Sequence, residues 1–282
     1  MIKVLKSGFF TTIQDEGRFG YRQYGIPVSG AMDIYSSGFA NALLGNTKDC
    51  ATIEVTMVGP TLQFLKPTRI VISGAYMKPK LNDVAIGMNS VIAIESNDIL
   101  SFGRLEKGFR SYLAVKGGFI TEKIFESRSM FSNITRATHL SVHDGVDYLD
   151  DKQEFENSHA HVKFDNSILN SNHLEVYEGP EFEQLSSEQK NKLIHSEWKV
   201  SKLNNRMAYQ LEPLLGNSLD PILTAPVLPG TVQLTPKGQL IVLMRDCQTT
   251  GGYPRILQLT KKAINVLSQK TTGNSLKISL KD

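Results

Sequence analysis

The sequence predicts a mainly-β protein made of two β domains, each a barrel or a sandwich, with few helices. Short strands follow one another in residues 52–115 and again in residues 199–259, separated by Gly, Pro, Asn and Asp. This spacing is typical of barrels and sandwiches. Both halves place a helix early and end on a strand that runs into a Gly-Gly pair. We interpret this as a loose duplication and expect domains at 1–165 and 166–282.

The N-terminal segment predicts two strands, a long loop and a helix. Residues 2–13 are expected to form two short strands around a Ser-Gly turn, and residues 11–33 then carry four glycines, a proline, charges and aromatic side chains. A long loop in a compact domain is usually functional when it is ordered. Asp33 is expected to cap a helix over 33–45, which it would stabilise by about 1 kcal/mol, and Gly45 is expected to end it.

The remaining elements are mostly strands. In the first half they are expected at 53–57, 61–65, 69–74, 91–94, 99–102 and 110–115, and in the second half at 199–200, 207–211 and 231–234. Ser186 and Gln189 match a capping box, which predicts a helix over 186–195. Residues 135–172 are polar and are expected to form an exposed connection.

The stretch 239–259 combines a buried strand with a polar loop. An apolar run at 240–244 stops at Arg245-Asp246, and Gln248, Thr249 and Thr250 precede two glycines. Tyr253-Pro254-Arg255 then leads into a second apolar run. Side-chain donors and acceptors beside glycine N–H groups suit a small polar ligand. The alternative is an ordinary hairpin with a polar turn.

Composition excludes several classes of partner. The chain has 31 basic and 28 acidic residues, a formal net charge of +3 and no block of like charge, so neither nucleic acid nor an anionic membrane is expected as a partner. Cys50 and Cys247 have no metal or redox spacing. No run resembles a signal peptide or a membrane span, so a cytoplasmic location is expected.

Common nucleotide, metal and biotin motifs are missing. Residues 25–30 resemble a phosphate-binding loop, but Ala31 and Met32 stand where it needs lysine and serine or threonine. Lys78 follows a methionine as in biotin carriers, but Pro79 comes next, and no biotin site is expected. Two histidine pairs have spacings that could share a metal: His139 with His143, and His159 with His161. No carboxylate pattern accompanies them, so no metal site is expected.

Several segments together resemble the C subunit of the ATP-hydrolysing bacterial 5-oxoprolinase. This family is also described as biotin-dependent-carboxyltransferase-like or allophanate-hydrolase-subunit-2-like. The matching segments span most of the chain and are Thr11-Thr12-x-Gln14-Asp15-x-Gly17-Arg18-x-Gly20, Gly30-Ala31-Met32-Asp33, Gly45-Asn46, Arg110-Ser111-Tyr112-Leu113-Ala114-Val115-x-Gly117-Gly118, Asn205-Arg206-Met207, Leu228-Pro229-Gly230-Thr231-Val232-Gln233 and Asp246-x-Gln248-Thr249-Thr250-Gly251-Gly252-Tyr253-Pro254-Arg255. Met130 departs from the pattern, since a threonine is common there.

The resemblance implies a fold of two cyclophilin-like β-barrels and a shared activity. It implies partner subunits B and A, and an ATP-dependent cleavage of 5-oxo-L-proline to L-glutamate by the whole complex. ATP would be used through the complex, because this chain lacks a nucleotide motif. We therefore expect the chain to be inactive alone.

Lactam opening needs cationic and N–H donors for the developing charge and a carboxylate base for water. The expected catalytic residues are Asp15, Arg18, Asp246 and Arg255. The expected substrate-binding residues are Gln14, Arg22, Asp33, Arg206, Gln248, Thr249, Thr250, Gly251 and Tyr253. We expect the two motif loops to converge on one polar cleft. The structural alternative is that Asp15–Arg18 and Asp246–Arg255 are ion pairs that brace the loops.

Two other functions remain open. The chain could be a regulatory protein that binds and antagonises a subunit-B-like inhibitor of a histidine kinase. It could also be half of a biotin-dependent carboxyltransferase of the urea or allophanate type. Convergent polar side chains favour a small-molecule site over a purely sequestering surface, which needs apolar anchors.

Overall fold

The computed structural model describes residues 1–151 and 162–281 and divides the chain into two compact units. The first unit comprises Met1–Arg18 and Ser29–Leu169, and the second comprises Phe19–Val28 and Asn170–Asp282. The segment Phe19–Val28 therefore belongs to the second unit although it lies early in the sequence. No helix in the described ranges is long and apolar enough to cross a membrane.

The first unit contains twelve strands and helix α1 among its described residues. Its elements are β1 Ile2–Lys6, β2 Phe10–Gln14, α1 Ile34–Leu43, β3 Thr52–Thr56, β4 Thr61–Phe64, β5 Thr68–Tyr76, β6 Lys80–Leu81, β7 Val84–Ala85, β8 Ile92–Ile94, β9 Ile99–Ser101, β10 Lys107–Val115, β11 Phe119–Ile120 and β12 Gly145–Tyr148. A short helix, α2 Ser167–Asn170, lies at the sequence boundary between the units.

Two sheets enclose the core of the first unit. One has the order β11-β12-β1-β4-β9-β6-β7 and the other β2-β3-β10-β5-β8. Alternate residues of strands from both sheets point into a single apolar core, for example Ile2 and Phe64 from the first sheet and Ile53 and Leu113 from the second. Helix α1 packs on the opposite face of the second sheet, over β5 and β10.

The second unit contains a closed seven-stranded barrel. Its elements are β13 His173–Glu178, α3 Ser187–His195, β14 Trp198–Asn204, β15 Ala208–Glu212, β16 Ala225–Pro226, β17 Thr231–Leu234, β18 Leu240–Leu243, β19 Thr250–Gly251, β20 Arg255–Leu259, α4 Lys261–Ser268 and β21 Ser275–Leu280. The barrel order is β13-β20-β17-β18-β15-β14-β21, and β21 closes it by parallel pairing with β13. Strands β16 and β19 form a separate two-stranded ladder.

The mainly-β prediction is confirmed, with closed-barrel topology in the second unit. The two predicted helices are also confirmed: Asp33 caps α1 by accepting from Ser36 N, and Ser186 and Gln189 form the capping box of α3. The prediction that residues 135–172 form only a connection is wrong, because β12 pairs with β1. Helix α4 was missed, although Thr260 caps it and its apolar residues lie on one face.

The alternative interpretation of 239–259 as an ordinary hairpin is wrong. Strands β18 and β20 do not pair with each other, because β17 lies between them and pairs with both. The polar segment between β18 and β20 therefore crosses over the end of β17. Within this segment β19 pairs with β16 instead.

Candidate functional site

In the first unit, Asp15 is the centre of a buried brace. Its carboxylate accepts hydrogen bonds from Ser127 Oγ at 2.7 Å, Ser129 Oγ at 2.6 Å, Arg128 N at 2.6 Å and Gly17 N at 2.8 Å. The side chain is only 7% exposed. Four donors on one buried carboxylate tie the Thr11–Arg18 motif loop to the loop at 127–130. This geometry supports a structural role for Asp15.

Arg18 and Gln14 extend the same brace. Arg18 is fully buried and donates to the carbonyl oxygens of Ile124 and Ser129. Gln14 is also fully buried, and its amide donates to Thr12 Oγ1 and to Met130 O, each at 3.1 Å. The sequence departs from the family pattern at Met130, yet the contact with Gln14 uses the backbone and so survives this change. Sequence reasoning did not connect residues 124–130 with this loop.

A second buried network holds the Gly30–Asp33 motif in the first unit. Glu54 is fully buried, accepts from Met32 N at 2.8 Å and Tyr112 Oη at 2.9 Å, and lies 3.7 Å from Arg110 Nε. Tyr112 Oη in turn accepts from Asp33 N at 2.8 Å. Burial and the neighbouring Glu54 carboxylate raise the pKa of Tyr112 well above its ordinary value, so this hydroxyl stays neutral. The hydrogen bond to Tyr112 holds the backbone of Asp33 at the position from which its side chain caps α1.

In the second unit, two buried or half-buried ion pairs hold the ends of the Asp246–Arg255 loop. Arg206 Nε lies 2.7 Å from Asp246 Oδ2, and a second contact at 3.1 Å makes this pair bidentate. Arg255 forms a bidentate pair with Glu181, at 2.9 and 3.1 Å. The structural alternative of an Asp246–Arg255 pair is therefore wrong, because each residue meets a different partner. No pattern in the sequence identifies Glu181 as the partner of Arg255.

Glu181 is held by both the backbone and the side chain of Arg255. Besides the ion pair, Arg255 N donates to Glu181 Oε2 at 2.7 Å. Burial opposes ionisation of Glu181, but the hydrogen bonds and charge of Arg255 outweigh it and lower the pKa of this carboxyl. Arg255 also donates to Pro226 O at 3.1 Å, which links β20 to the β16–β19 ladder. The pair thus orders the end of the loop.

Arg22 reaches the same loop from the segment Phe19–Val28. Its Nη2 donates to the carbonyl oxygens of Val227 and Thr249, the latter at 3.3 Å. Residues 225–227 are therefore attached to the loop by the β16–β19 ladder, by Arg255 and by Arg22. This contact could not be derived from the sequence, because more than 200 residues separate Arg22 from Val227.

The polar side chains of the loop differ in exposure. Gln248, Thr250 and Tyr253 are exposed, whereas Thr249 and Gly251 are half-buried. A side chain at position 251 would meet the amide of Gln233, whose Nε2 donates to Tyr253 O at 3.3 Å. The loop therefore presents an outward set of neutral donors on a backbone held by ion pairs and by Gln233. Such an arrangement can bind a small polar ligand.

Cys247 follows Asp246 but is not arranged as a nucleophile. Its side chain is buried, and burial raises the pKa of the thiol to about 11, against the opposing effect of Arg22. About one thiol in a thousand is then ionised at pH 8, and the thiolate is the reactive form. Cys50 is only half-buried, so burial does not fully shield its thiol from reagents.

We expect iodoacetamide at pH 8 to label Cys50 in the native chain and to leave Cys247 unlabelled. Peptide mass spectrometry after timed labelling measures both sites at once, and the urea-unfolded chain provides the positive control for Cys247. Labelling of native Cys247 at the rate seen in urea would contradict the burial described above.

Within residues 1–151 and 162–281, no group of three or more His, Cys, Asp or Glu could hold a metal ion. His159 and His161 lie outside the described residues.

Comparisons with known proteins match nearly the whole chain. The 5-oxoprolinase C subunit of Escherichia coli (strain K12) is 32% identical over 281 residues, which cover 98% of this chain and 90% of that protein. The crystal structure of the K. lactis urea amidolyase matches with a TM-score of 0.87 and 27% identity, over 98% of this chain and 18% of that chain. The crystal structure of TTHA0988 shares the fold, with a TM-score of 0.87, 24% identity and coverage of 99% of this chain and 55% of that chain.

The chain thus spans about half of one of these solved structures and less than a fifth of the other. The model of the family described as carboxyltransferase domain, subdomain A and B, matches residues 24–280. The resemblance predicted from the motifs is confirmed by these matches. The chain belongs to the carboxyltransferase domain family, subdomains A and B, and is similar over nearly its full length to the 5-oxoprolinase C subunit.

Proposed function

We propose that the chain is the C subunit of an ATP-dependent 5-oxoprolinase in the cytoplasm. It acts with subunits A and B to cleave 5-oxo-L-proline to L-glutamate. The observation that carries this proposal is the full-length similarity to the 5-oxoprolinase C subunit, which includes 90% of that protein. The similarity to urea amidolyase, in contrast, concerns 18% of that chain.

The loop Asp246–Arg255 is the part of this chain that we assign to the substrate. In the complex, phosphoryl transfer from ATP to the lactam oxygen activates the ring carbon. Water then attacks that carbon and the C–N bond opens, which leaves an acyl phosphate and a free amine. A second water hydrolyses the acyl phosphate, so that phosphate leaves and the carboxylate of L-glutamate is formed. Gln248, Thr250 and Tyr253 supply exposed neutral donors for the polarised lactam, and preorganised donors of this kind stabilise developing charge.

The ion pairs of the loop take positioning roles in this proposal. Both oxygens of Asp246 are held by Arg206, and both oxygens of Glu181 are held by Arg255. These carboxylates keep the donors in place, which matters because a misplacement of about 1 Å can cost roughly 100-fold in rate. In the first unit, Asp15 and Arg18 hold the Thr11–Arg18 motif loop within their buried brace.

Replacing Gln248 with alanine tests the assignment of the loop. The side chain is exposed and makes no hydrogen bond within the described structure, so the melting temperature should not change measurably. We expect kcat/KM of the reconstituted complex for 5-oxo-L-proline to fall about 10-fold or more, as for loss of one donor to a developing charge. Gln184→Ala, another exposed glutamine of the second unit, is the matched control and should keep full activity.

Full activity of the Gln248→Ala complex would exclude this loop from the site.

We also expect the purified chain alone to cleave no 5-oxo-L-proline with ATP. Turnover by the isolated chain, free of other subunits, would refute the assignment as one subunit of a complex.

A second candidate is a biotin-dependent carboxyltransferase half. The description of the matched family and the similarity to the K. lactis urea amidolyase structure favour it. The two functions require different co-substrates, so they are separated by one assay of the complex. ATP-dependent glutamate release from 5-oxo-L-proline supports the 5-oxoprolinase. Consumption of carboxybiotin without glutamate release supports the carboxyltransferase.

A further inference from the structure

The arginines around the Asp246–Arg255 loop differ in how their charges are balanced. Arg206 is paired with Asp246, and Arg255 is paired with Glu181. Arg22 forms no ion pair with any residue of the described ranges. The residue is half-buried, its Nη2 donates to two backbone carbonyls, and the Cys247 thiol is its third polar neighbour. Carbonyl dipoles orient a guanidinium but leave its full positive charge without a counter-charge.

One nitrogen of Arg22 has no hydrogen-bond partner. Nη1 is buried, and no acceptor in the described structure receives its hydrogens. A buried donor that is left unsatisfied costs stability, and the cost is greater when the group is charged. Cys247 lies beside Arg22, but its thiol remains protonated and contributes no negative charge. The guanidinium of Arg22 is therefore oriented by the carbonyl oxygens at Nη2, whereas no anion of the described residues contacts Nη1.

The groups that flank Arg22 on the loop are neutral. Thr249 offers its carbonyl to Arg22, and the neighbouring side chains of Gln248 and Thr250 are exposed and make no hydrogen bond within the described residues. No carboxylate of the loop is available for Arg22, because both oxygens of Asp246 are held by Arg206. An incoming anion would meet the Arg22 guanidinium together with neutral donors, which suits a small anion.

We propose that Arg22 is the anchor for the carboxylate of a small ligand that binds at the Asp246–Arg255 loop. A guanidinium keeps its positive charge and donates strong hydrogen bonds to carboxylate oxygens, and Nη1 is the nitrogen of Arg22 that remains for this contact. The proposal deepens the proposed function and rests on it for one point: the ligand would be 5-oxo-L-proline, with its ring directed to Gln248 and Thr250. Arg22 then selects ligands that carry a carboxylate, and the loop contacts the lactam.

The test compares two ligands that differ only in charge. 5-Oxo-L-proline carries the carboxylate, and 5-oxo-L-prolinamide has the same ring with a neutral amide. Binding to the full chain and to the reconstituted complex is measured by NMR titration or calorimetry in chloride-free buffer, with acetate as a third probe. The variants are Arg22→Gln, which removes the charge, and Arg22→Lys, which keeps it without the fork geometry. Arg104→Gln removes the same charge from an exposed site of the first unit and is the control.

We expect the wild-type protein to prefer the carboxylate over the amide, and Arg22→Gln to reduce carboxylate affinity about 10- to 100-fold, as for a lost charged hydrogen bond. Affinity for the amide should change little, Arg22→Lys should restore part of the preference, and Arg104→Gln should match the wild type. Unchanged carboxylate affinity in Arg22→Gln, or an equal loss for both ligands, would overturn the proposal. So would the absence of carboxylate binding in both the chain and the complex.

Failure of the proposed function has a different outcome. If the complex releases no glutamate but acetate binding still depends on Arg22, the carboxylate anchor stands and the reaction assignment fails. If the complex cleaves 5-oxo-L-proline with the same KM after Arg22→Gln, the reaction assignment stands and the anchor fails.

Discussion

Replacing Glu54 with alanine is expected to lower the free energy of unfolding by about 3–5 kcal/mol. The reason is that the buried Arg110 would lose the Glu54 carboxylate from its ion pair, and removal of one partner from a buried pair is strongly destabilising. Glu54 is fully buried, and Arg110 is 2% exposed. Met32 N and Tyr112 Oη would lose their acceptor as well. Urea unfolding measures the loss.

Two further variants separate the contributions within this network. Glu54→Gln keeps an acceptor oxygen and should lose less than Glu54→Ala. Tyr112→Phe removes one hydroxyl and should cost about 1–3 kcal/mol. Hydrogen exchange at the amides of Met32 and Asp33 should accelerate in Glu54→Ala, because the loop before α1 is released. Stability within about 1 kcal/mol of the wild type would show that Glu54 is compensated by other groups.

Replacing Asp246 with alanine is expected to cost about 3 kcal/mol and most of the activity of the complex. The pair with Arg206 is nearly buried, with side-chain exposures of 8% for Arg206 and 10% for Asp246. The variant would remove the carboxylate that pairs with the nearly buried guanidinium of Arg206. The double variant Arg206→Met, Asp246→Leu removes both charges and should recover most of the stability, since apolar replacements of buried pairs are often neutral. Thermal unfolding of the single and double variants completes the double-mutant cycle.

The same cycle decides whether Asp246 takes part in the reaction. If it only positions the loop, the double variant should regain part of the turnover together with its stability. If it is the base for water, turnover should stay about 100- to 10,000-fold below wild type in the stable double variant. The latter outcome would contradict the positioning role assigned to Asp246 above.

The sequence by itself determined the elements whose signals are local. Asp33 and Ser36 lie one helical turn apart, and so do Ser186 and Gln189, so the caps of α1 and α3 could be predicted from neighbouring residues. Short strand-like runs separated by Gly, Pro, Asn and Asp predicted many of the strands in both units. The family motifs identified the family, because their order and spacing span the chain.

Only the tertiary structure decided which charges meet. Asp246 and Arg255 are nine positions apart and suggested a pair, but β17 lies between β18 and β20 and separates the two ends of the loop. Each end then meets a charge brought by another part of the chain, Arg206 at 40 positions and Glu181 at 74. Local sequence patterns do not predict contacts between residues that lie so far apart in the sequence.

The burial of Glu54, like the ion pairs of the loop, could not be predicted from the sequence. Alternation along β3 places Glu54 on the face opposite the apolar core, which a sequence would assign to solvent. Helix α1 and the Gly30–Asp33 motif cover that face, and Tyr112 and Arg110 from β10 complete its surroundings. Pairing of strands and packing of a helix therefore turn an outward carboxylate into a buried one. The sequence determined which residues form each strand, whereas the assembly of the strands decided which of their polar groups are buried and with which partners.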